Sequence, residues 1–372
     1  MIRVEPVRSR AERRAFIDLP FRLYRADPLW VPPLRSDVAE LLDPRRHPFH
    51  RHARMQLFLA RSDGGRVTGR IAAIRNEAHL RIHDDGAGFF GFFETERDPS
   101  TARALFDAAG AWLRESGLRV MRGPASPSTN EECGLLVRGF DSPPVVMMPY
   151  NPAWYAELLE GYGFRKAMDL LAYYRGHAQQ PERLVRMAEA LARRHRIVIR
   201  PLDKSRFAEE VELVRSIYNA AWEKNWGFVP MTAEEFDHLA RKLKQVVDPD
   251  LVAFAEVDGK LAGFALGLPD LNRALRHMGG SLWPFGWLKG LWHSRGIDTF
   301  RVLTLGILEE YRKTGAAEMM YLYLLRTGPP KGITKGEFSW ILEDNATMRA
   351  GLEKLGADLY KVYRMYDLPL DA

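Results

Sequence analysis

The sequence predicts an α/β fold built twice in one chain, each copy a mixed central sheet flanked by helices. Two observations carry this: landmarks recur along the 372 residues at a nearly constant spacing, and both halves show the same order of elements. Ile2-Arg3-Val4-Glu5-Pro6 answers Ile197-Val198-Ile199-Arg200-Pro201, with the prolines 195 positions apart. Tyr24 with Trp30-Val31-Pro32 answers Tyr218 with Phe228-Val229-Pro230, the tyrosines 194 apart. Gly65 to Gly69 answers Gly259 to Gly263, again at 194, and each pair punctuates alternating apolar runs as a hairpin turn does. Asn151, ahead of a short amphipathic run and Gly163, answers Asn345, ahead of Leu352, Leu355 and Gly356, also at 194.

Each half therefore reads strand, helices, hairpin, strand, helix, strand, helix, strand. The copies are expected at 1–178 and 197–372. A polar seam, Gly176-His177-Ala178-Gln179-Gln180-Pro181, and an Arg-rich linking helix at 179–196 separate them.

Composition narrows the class. A chain that is 46% hydrophobic and 27% charged is globular rather than disordered, and its length suits two cores better than one. Its single cysteine, Cys133, leaves no intramolecular disulfide, and the N-terminus lacks the apolar run of a signal peptide. No stretch approaches the roughly 20 apolar residues that span a bilayer. A cytoplasmic protein is expected, with any membrane association peripheral, at the inner face. The net charge of +6 suits phosphate-bearing partners such as CoA, nucleic acid or anionic lipid headgroups, and selects none of them. His47, His50 and His52 have no cysteine or carboxylate close in sequence, so no metal is expected.

The segment richest in chemistry is a strand pattern over Arg301–Leu308, then Glu309-Glu310-Tyr311-Arg312-Lys313-Thr314-Gly315-Ala316-Ala317, then an apolar helix. A basic loop of small residues that opens a helix directly after a strand aims backbone N–H groups at an anion, and a pyrophosphate fits. Taken alone, a tight packing turn is the better reading. Arg312-Lys313-Thr314-Gly315-Ala316-Ala317, however, resembles the Arg/Gln-x-x-Gly-x-Gly/Ala motif with which the GNAT acyltransferase superfamily cradles the CoA pyrophosphate. Ser339-Trp340-Ile341-Leu342-Glu343-Asp344-Asn345, a short helix closed by Gly356, and Leu359–Tyr366 as a last strand resemble that superfamily's ending.

The resemblance implies a mechanism. The strand Leu303–Leu308 should splay from Gly336–Leu342, acyl-CoA should lie in the gap, and an acceptor amine should attack the thioester directly. Backbone N–H groups of Leu305, Gly306 and Ile307 would polarise the carbonyl, and Asn345 would lie beside the CoA site. Many members carry a tyrosine seven residues after the asparagine, where this chain has Leu352. Tyr360, Tyr363 and Tyr366 on the final strand are the substitute acids, although an alternating aromatic there is more often core, and Glu309 and Glu343 are the candidate bases, with a capping or surface role at least as good a reading of either.

The equivalent N-terminal segment, Gly88 to Thr101, has no glycine loop, and Asp98 would repel a phosphate. That copy is expected not to bind CoA. Tyr218, Trp222, Trp226 and Phe228 occupy the early helix and loop that cover the acceptor side in the superfamily. An insertion carrying Trp283, Trp287 and Trp292 beside Lys289, His293 and Arg295 is of the sort that meets a membrane interface, walls a greasy channel or packs as a lid. Peripheral membrane contact would run through 281–295.

The whole arrangement resembles a bacterial family of tandem GNAT-like proteins, the bacterial ceramide synthase family. This implies long-chain N-acylation of a lipid or sphingoid-base amine from acyl-CoA. Two rivals remain: a tandem transferase using aminoacyl-tRNA, and a non-catalytic acyl-CoA-binding protein.

Overall fold

The computed structural model describes residues 2–176 and 182–370, and the predicted seam residues 177–181 lie outside them. The first half runs β1 (Arg3–Pro6), α1 (Arg10–Leu23), α2 (Arg35–Leu41), β2 (Ala53–Arg61), β3 (Val67–Asn76), α3 (Glu77–His83), β4 (Ala87–Thr95), α4 (Pro99–Glu115) and β5 (Val120–Gly123). Then come β6 (Ala125–Ser126), β7 (Glu132–Cys133), β8 (Leu135–Arg138), α5 (Tyr155–Tyr162) and β9 (Arg165–Arg175). After α6 (Glu182–Arg194), the second half repeats the order with β10 (Ile197–Pro201), α7 (Phe207–Trp222), α8 (Ala233–Leu243), β11 (Val252–Val257) and β12 (Lys260–Pro269). It ends with α9 (Asn272–Leu275), α10 (Gly286–Ser294), β13 (Thr299–Ile307), α11 (Ala316–Thr327), β14 (Lys335–Leu342), α12 (Ala346–Lys354) and β15 (Asp358–Pro369).

The α/β class with two like halves holds, with β6, β7 and β8 of the first half lacking a counterpart in the second. The paired hairpins β2–β3 and β11–β12 are antiparallel, and Gly65 and Gly259 turn them at φ of 76° and 75°, the left-handed region that favours glycine. Asn151 and Asn345 share a spacing but not a role. Asn345 caps α12, accepting from Met348 N at 3.1 Å, whereas Asn151 is buried and bonds both backbone groups of Leu136.

In sequence the copies follow one another; each compact unit is assembled from separate segments of the chain. One comprises Met1–Asp169, Leu275–Lys289 and Lys361–Ala372, the other Leu170–Ala274 and Gly290–Tyr360. Each unit thus takes its last strand from the far half of the chain. In the first, the end of β15 pairs antiparallel with β5, Tyr366 opposite Gly123. In the second, the end of β9 pairs antiparallel with β14, Tyr173 opposite Phe338.

The first core forms because α4 repeats apolar residues at helical spacing, burying Ala102, Leu105, Phe106, Ala109 and Leu113 against Phe58, Ile71, Phe90 and Phe93 of the sheet. In the second unit α11 does the same with Met320, Tyr321, Leu324 and Leu325.

Candidate active site

The second unit's site begins with two strands that start together and part. β13 and β14 pair in parallel from Thr299 opposite Lys335 to Val302 opposite Phe338. On its other edge β14 pairs with β9 from Gly336 opposite Arg175 to Leu342 opposite Leu170, with a register shift between Phe338 and Ile341, while β13 stays with β12 through a register shift at Leu266/Gly267. A bulge there bends one strand away from its neighbour. The gap lies between 303–307 and 339–342.

The gap has a polar wall. Leu308 N donates to Ala262 O at 2.9 Å, on the β12 side. Backbone groups alternate along a strand, so the N–H groups of Leu305 and Ile307 face the gap and that of Gly306 faces β12. Above the sheet, a Cβ on Gly306 would meet the indole of Trp222 and the methyl of Ala221, both on α7. Three side-chain atoms around these elements are buried with no hydrogen-bond partner: Asn219 Oδ1, Thr304 Oγ1 and Trp340 Nε1. Thr304 lies on the Gly306 face of β13, and Asn219 lies three residues before Trp222 on α7. Unsatisfied buried polar atoms are costly, and a bound polar ligand is one way to satisfy them.

The gap leads to the start of α11. Gly315, at φ 93°, stands at its N-cap position with no side-chain cap, so the first amides of the helix are not bonded to a capping side chain. Arg312 and Lys313 are exposed beside it, Arg312 donating to Ala221 O, while the Thr314 hydroxyl bonds Tyr311 O. Ala316 is buried and Ala317 half-buried. Gly315 also has a packing reason to be glycine, because Leu191 of α6 lies 3.0 Å from where its Cβ would be.

The corresponding features of the first unit are occupied by the chain itself. β4 and β5 pair in parallel only from Ala87 to Phe89, and β6 then lies against β4. Phe92 N donates to Ser126 Oγ at 2.9 Å, and a Cβ on Gly91 would overlap the carbonyl of Ala125. The N-terminus of α4 is capped by Asp98, which accepts from Ser100 N and Thr101 N.

Sequence reasoning named Tyr360 but missed the buried carboxylate that it bonds at the root of the parting. Glu337, opposite Arg301 in the register, is fully buried; it accepts from Ser339 Oγ at 3.0 Å and from Tyr360 OH at 3.2 Å, with Arg301 Nε 3.7 Å away. Burial pushes its carboxyl up to about 7 despite the nearby guanidinium and hydroxyls. A lone Glu in an apolar strand was the available signal.

The other candidate acids and bases fall elsewhere. Glu309 is exposed and its carboxylate bonds Lys224 Nζ at 2.8 Å, which holds it below the usual carboxylate range. The backbone oxygen of Glu343 accepts from Arg349. Tyr363 is buried in the first unit, on the stretch of β15 paired with β8, and Leu352 fills core. Tyr218, Trp222 and Phe228 form one aromatic cluster, with Tyr218 5.6 Å from Phe228 and 4.8 Å from Trp222; Trp226 is half-buried nearby in sequence. Trp283 and Trp287 are exposed.

The chain is 38% identical over 377 residues to the bacterial ceramide synthase of Caulobacter vibrioides, covering 99% of this chain and 97% of that protein. It belongs to the bacterial ceramide synthase family. A second relative, Protein YghO of Escherichia coli, is 37% identical over 367 residues, covering 96% of this chain and 93% of that protein. No family model matches the chain. Among solved structures, a tandem GNAT protein from the clavulanic acid biosynthesis pathway superposes with a TM-score of 0.56 at 14% identity, covering 100% of this chain and 99% of that one. A probable N-acyltransferase from Enterococcus faecalis gives 0.52 at 11%, covering 100% and 73%. The family member described here is thus a tandem GNAT-fold acyltransferase. Among its described residues no group of three or more His, Cys, Asp or Glu side chains could hold a metal ion.

Proposed function

We propose that the C-terminal copy, 197–372, binds an acyl-CoA and passes its acyl group to the amine of a long-chain lipid or sphingoid base, giving a ceramide-type amide at the inner face of the membrane. The N-terminal copy, 1–178, holds no CoA. The observation that carries this reading is the parting of β13 from β14 into a gap that ends at an uncapped helix N-terminus.

In this reading the α11 amides and Lys313 hold the pyrophosphate, with Arg312 beside them, as a helix N-terminus with flanking cations does. The inward N–H groups of Leu305 and Ile307 then offer donors to a thioester oxygen, where negative charge grows as the amine adds. The nitrogen–carbon bond forms and the carbon–sulfur bond breaks; the ammonium gives one proton to the base before attack, and the nitrogen releases a second after it adds, the equivalent of the proton that the departing thiolate gains. Glu337 suits the first proton transfer because its carboxyl titrates near neutrality, and Tyr360, bonded to it, suits the donation to the thiolate. Tyr218, Trp222 and Phe228 supply apolar surface on the acceptor side.

Purified protein mixed with palmitoyl-CoA and sphinganine should yield the amide and free CoA. Lys313→Ala should raise KM for palmitoyl-CoA about 5- to 30-fold with little change in kcat, the loss of one charge-assisted phosphate contact. Absence of both amide and calorimetric CoA binding refutes the reading; CoA binding with no turnover on any amine leaves a binding protein instead.

A further inference from the structure

The exposed apolar residues of the described chain are not scattered. Of eleven large hydrophobic side chains at the surface, seven fall between Leu282 and Trp292, with Trp283 at 78%, Trp292 at 70% and Phe285 at 65% exposure. Isolated surface apolar residues need no explanation, whereas a contiguous group does.

Within α10 the usual polarity is inverted. At about 100° per residue, Trp287, Leu288, Leu291 and Trp292 share one arc of roughly 140° and all are exposed, while Gly286, Gly290, His293 and Ser294 fill the opposite, inward arc. The chain leading into this helix is anchored. Arg35 donates from its backbone to Gly280 O at 3.1 Å and from its side chain to Gly279 O at 3.0 Å, Arg276 donates to Pro28 O at 3.1 Å, and the Phe21 ring occupies the place of a Gly280 Cβ. The ridge is therefore held outward by bonds at its base, not left over from a loose loop.

Charge identifies the occupant. Between Asp270 and Asp298 the chain carries no carboxylate and carries Arg273, Arg276, Lys289 and Arg295. Lys289 is exposed on α10, and the Arg295 guanidinium lies 5.9 Å from the Trp292 ring. A second copy of the chain would set these cations against their own images. An anionic headgroup layer over an apolar interior meets both features, since indoles and basic side chains with long stems favour that boundary. No helix among the described residues is long and apolar enough to cross a membrane, so the contact lies in the interface plane.

We infer that Leu282–Trp292 is a docking surface for an anionic phospholipid bilayer, with Trp283, Phe285, Leu291 and Trp292 entering the headgroup–acyl boundary and Lys289 and Arg295 against the headgroups. The inference deepens the membrane-face reading above but stands apart from the reaction assigned there, and its test contains no substrate.

The full chain is sedimented with phosphatidylcholine vesicles holding or lacking about one third phosphatidylglycerol. Wild type should bind the anionic vesicles, with weaker binding at higher salt and a blue shift of tryptophan emission. Phe285→Ser, Leu291→Ser and Trp292→Ser combined should lower the partition coefficient at least about tenfold, and Lys289→Glu with Arg295→Glu should remove the preference for anionic lipid. Circular dichroism and thermal melting of each variant check that it folds; all these side chains are solvent-facing. The proposal is overturned if wild type ignores anionic vesicles at low salt, if folded variants bind as wild type does, or if the serine variant instead abolishes a self-association seen without lipid. Loss of amide synthesis with vesicle binding intact would count against the reaction and not against this surface.

Discussion

Replacing Glu337 by glutamine keeps the shape of the buried cluster and removes its titration. Burial holds the carboxyl at about 7 in the folded chain against an ordinary 4.5, and at about 1.4 kcal/mol for each tenfold step that gap is about 3 kcal/mol. The sign follows from linkage. Below pH 4.5 both states are protonated; between 4.5 and 7 the unfolded chain has released the proton and the folded chain has not, so stability falls as pH rises and levels above 7. Glu337→Gln abolishes that slope. Urea unfolding of both proteins at pH 5 and pH 8 should show the variant gaining up to about 3 kcal/mol on wild type across the interval, whatever constant it loses with the Arg301 and Tyr360 contacts. The kinetic counterpart is a wild-type kcat/KM that rises through about pH 7. In the variant it falls about 10²- to 10⁴-fold and loses the inflection. A stability difference that does not change with pH, or an inflection near neutrality that survives in a folded variant, refutes both the buried titration and the role of base.

Two further outcomes test the filled gap of the first unit. Gly91→Ala sets a methyl group into the Ala125 carbonyl and should cost at least about 2 kcal/mol, read as a lowered melting temperature of the purified chain. Asp98→Ala should cost about 1 kcal/mol at neutral pH through loss of the α4 cap. Because bonds from Thr101 and Ser100 hold the Asp98 carboxyl below its usual range, the wild-type advantage should vanish as pH falls through that lowered value.

The duplicated α/β fold was legible in the sequence because its signals are local and doubled. A glycine turn, an apolar alternation and an Asn ahead of an amphipathic run each constrain a few neighbouring residues, and their recurrence at one spacing makes chance improbable. Arg312 to Ala317 could be placed at a strand-to-helix turn for the same reason. The dual character of Gly315 could not, since Leu191, which packs on it, belongs to the linking helix. The insertion kept three readings in sequence, and its exposure excludes a lid packed on its own core.

What the sequence by itself determined is the set of elements, their order, their duplication and the loop that opens α11, all fixed by backbone propensity and periodicity within short windows. Only the tertiary structure decided where β13 leaves β14, which strand closes each unit, and that Glu337 meets Tyr360 and Arg301 out of water. Those facts depend on residues far apart in the chain, and burial, which sets the proton affinity of a carboxyl, is a property of the packed neighbours and not of the residue.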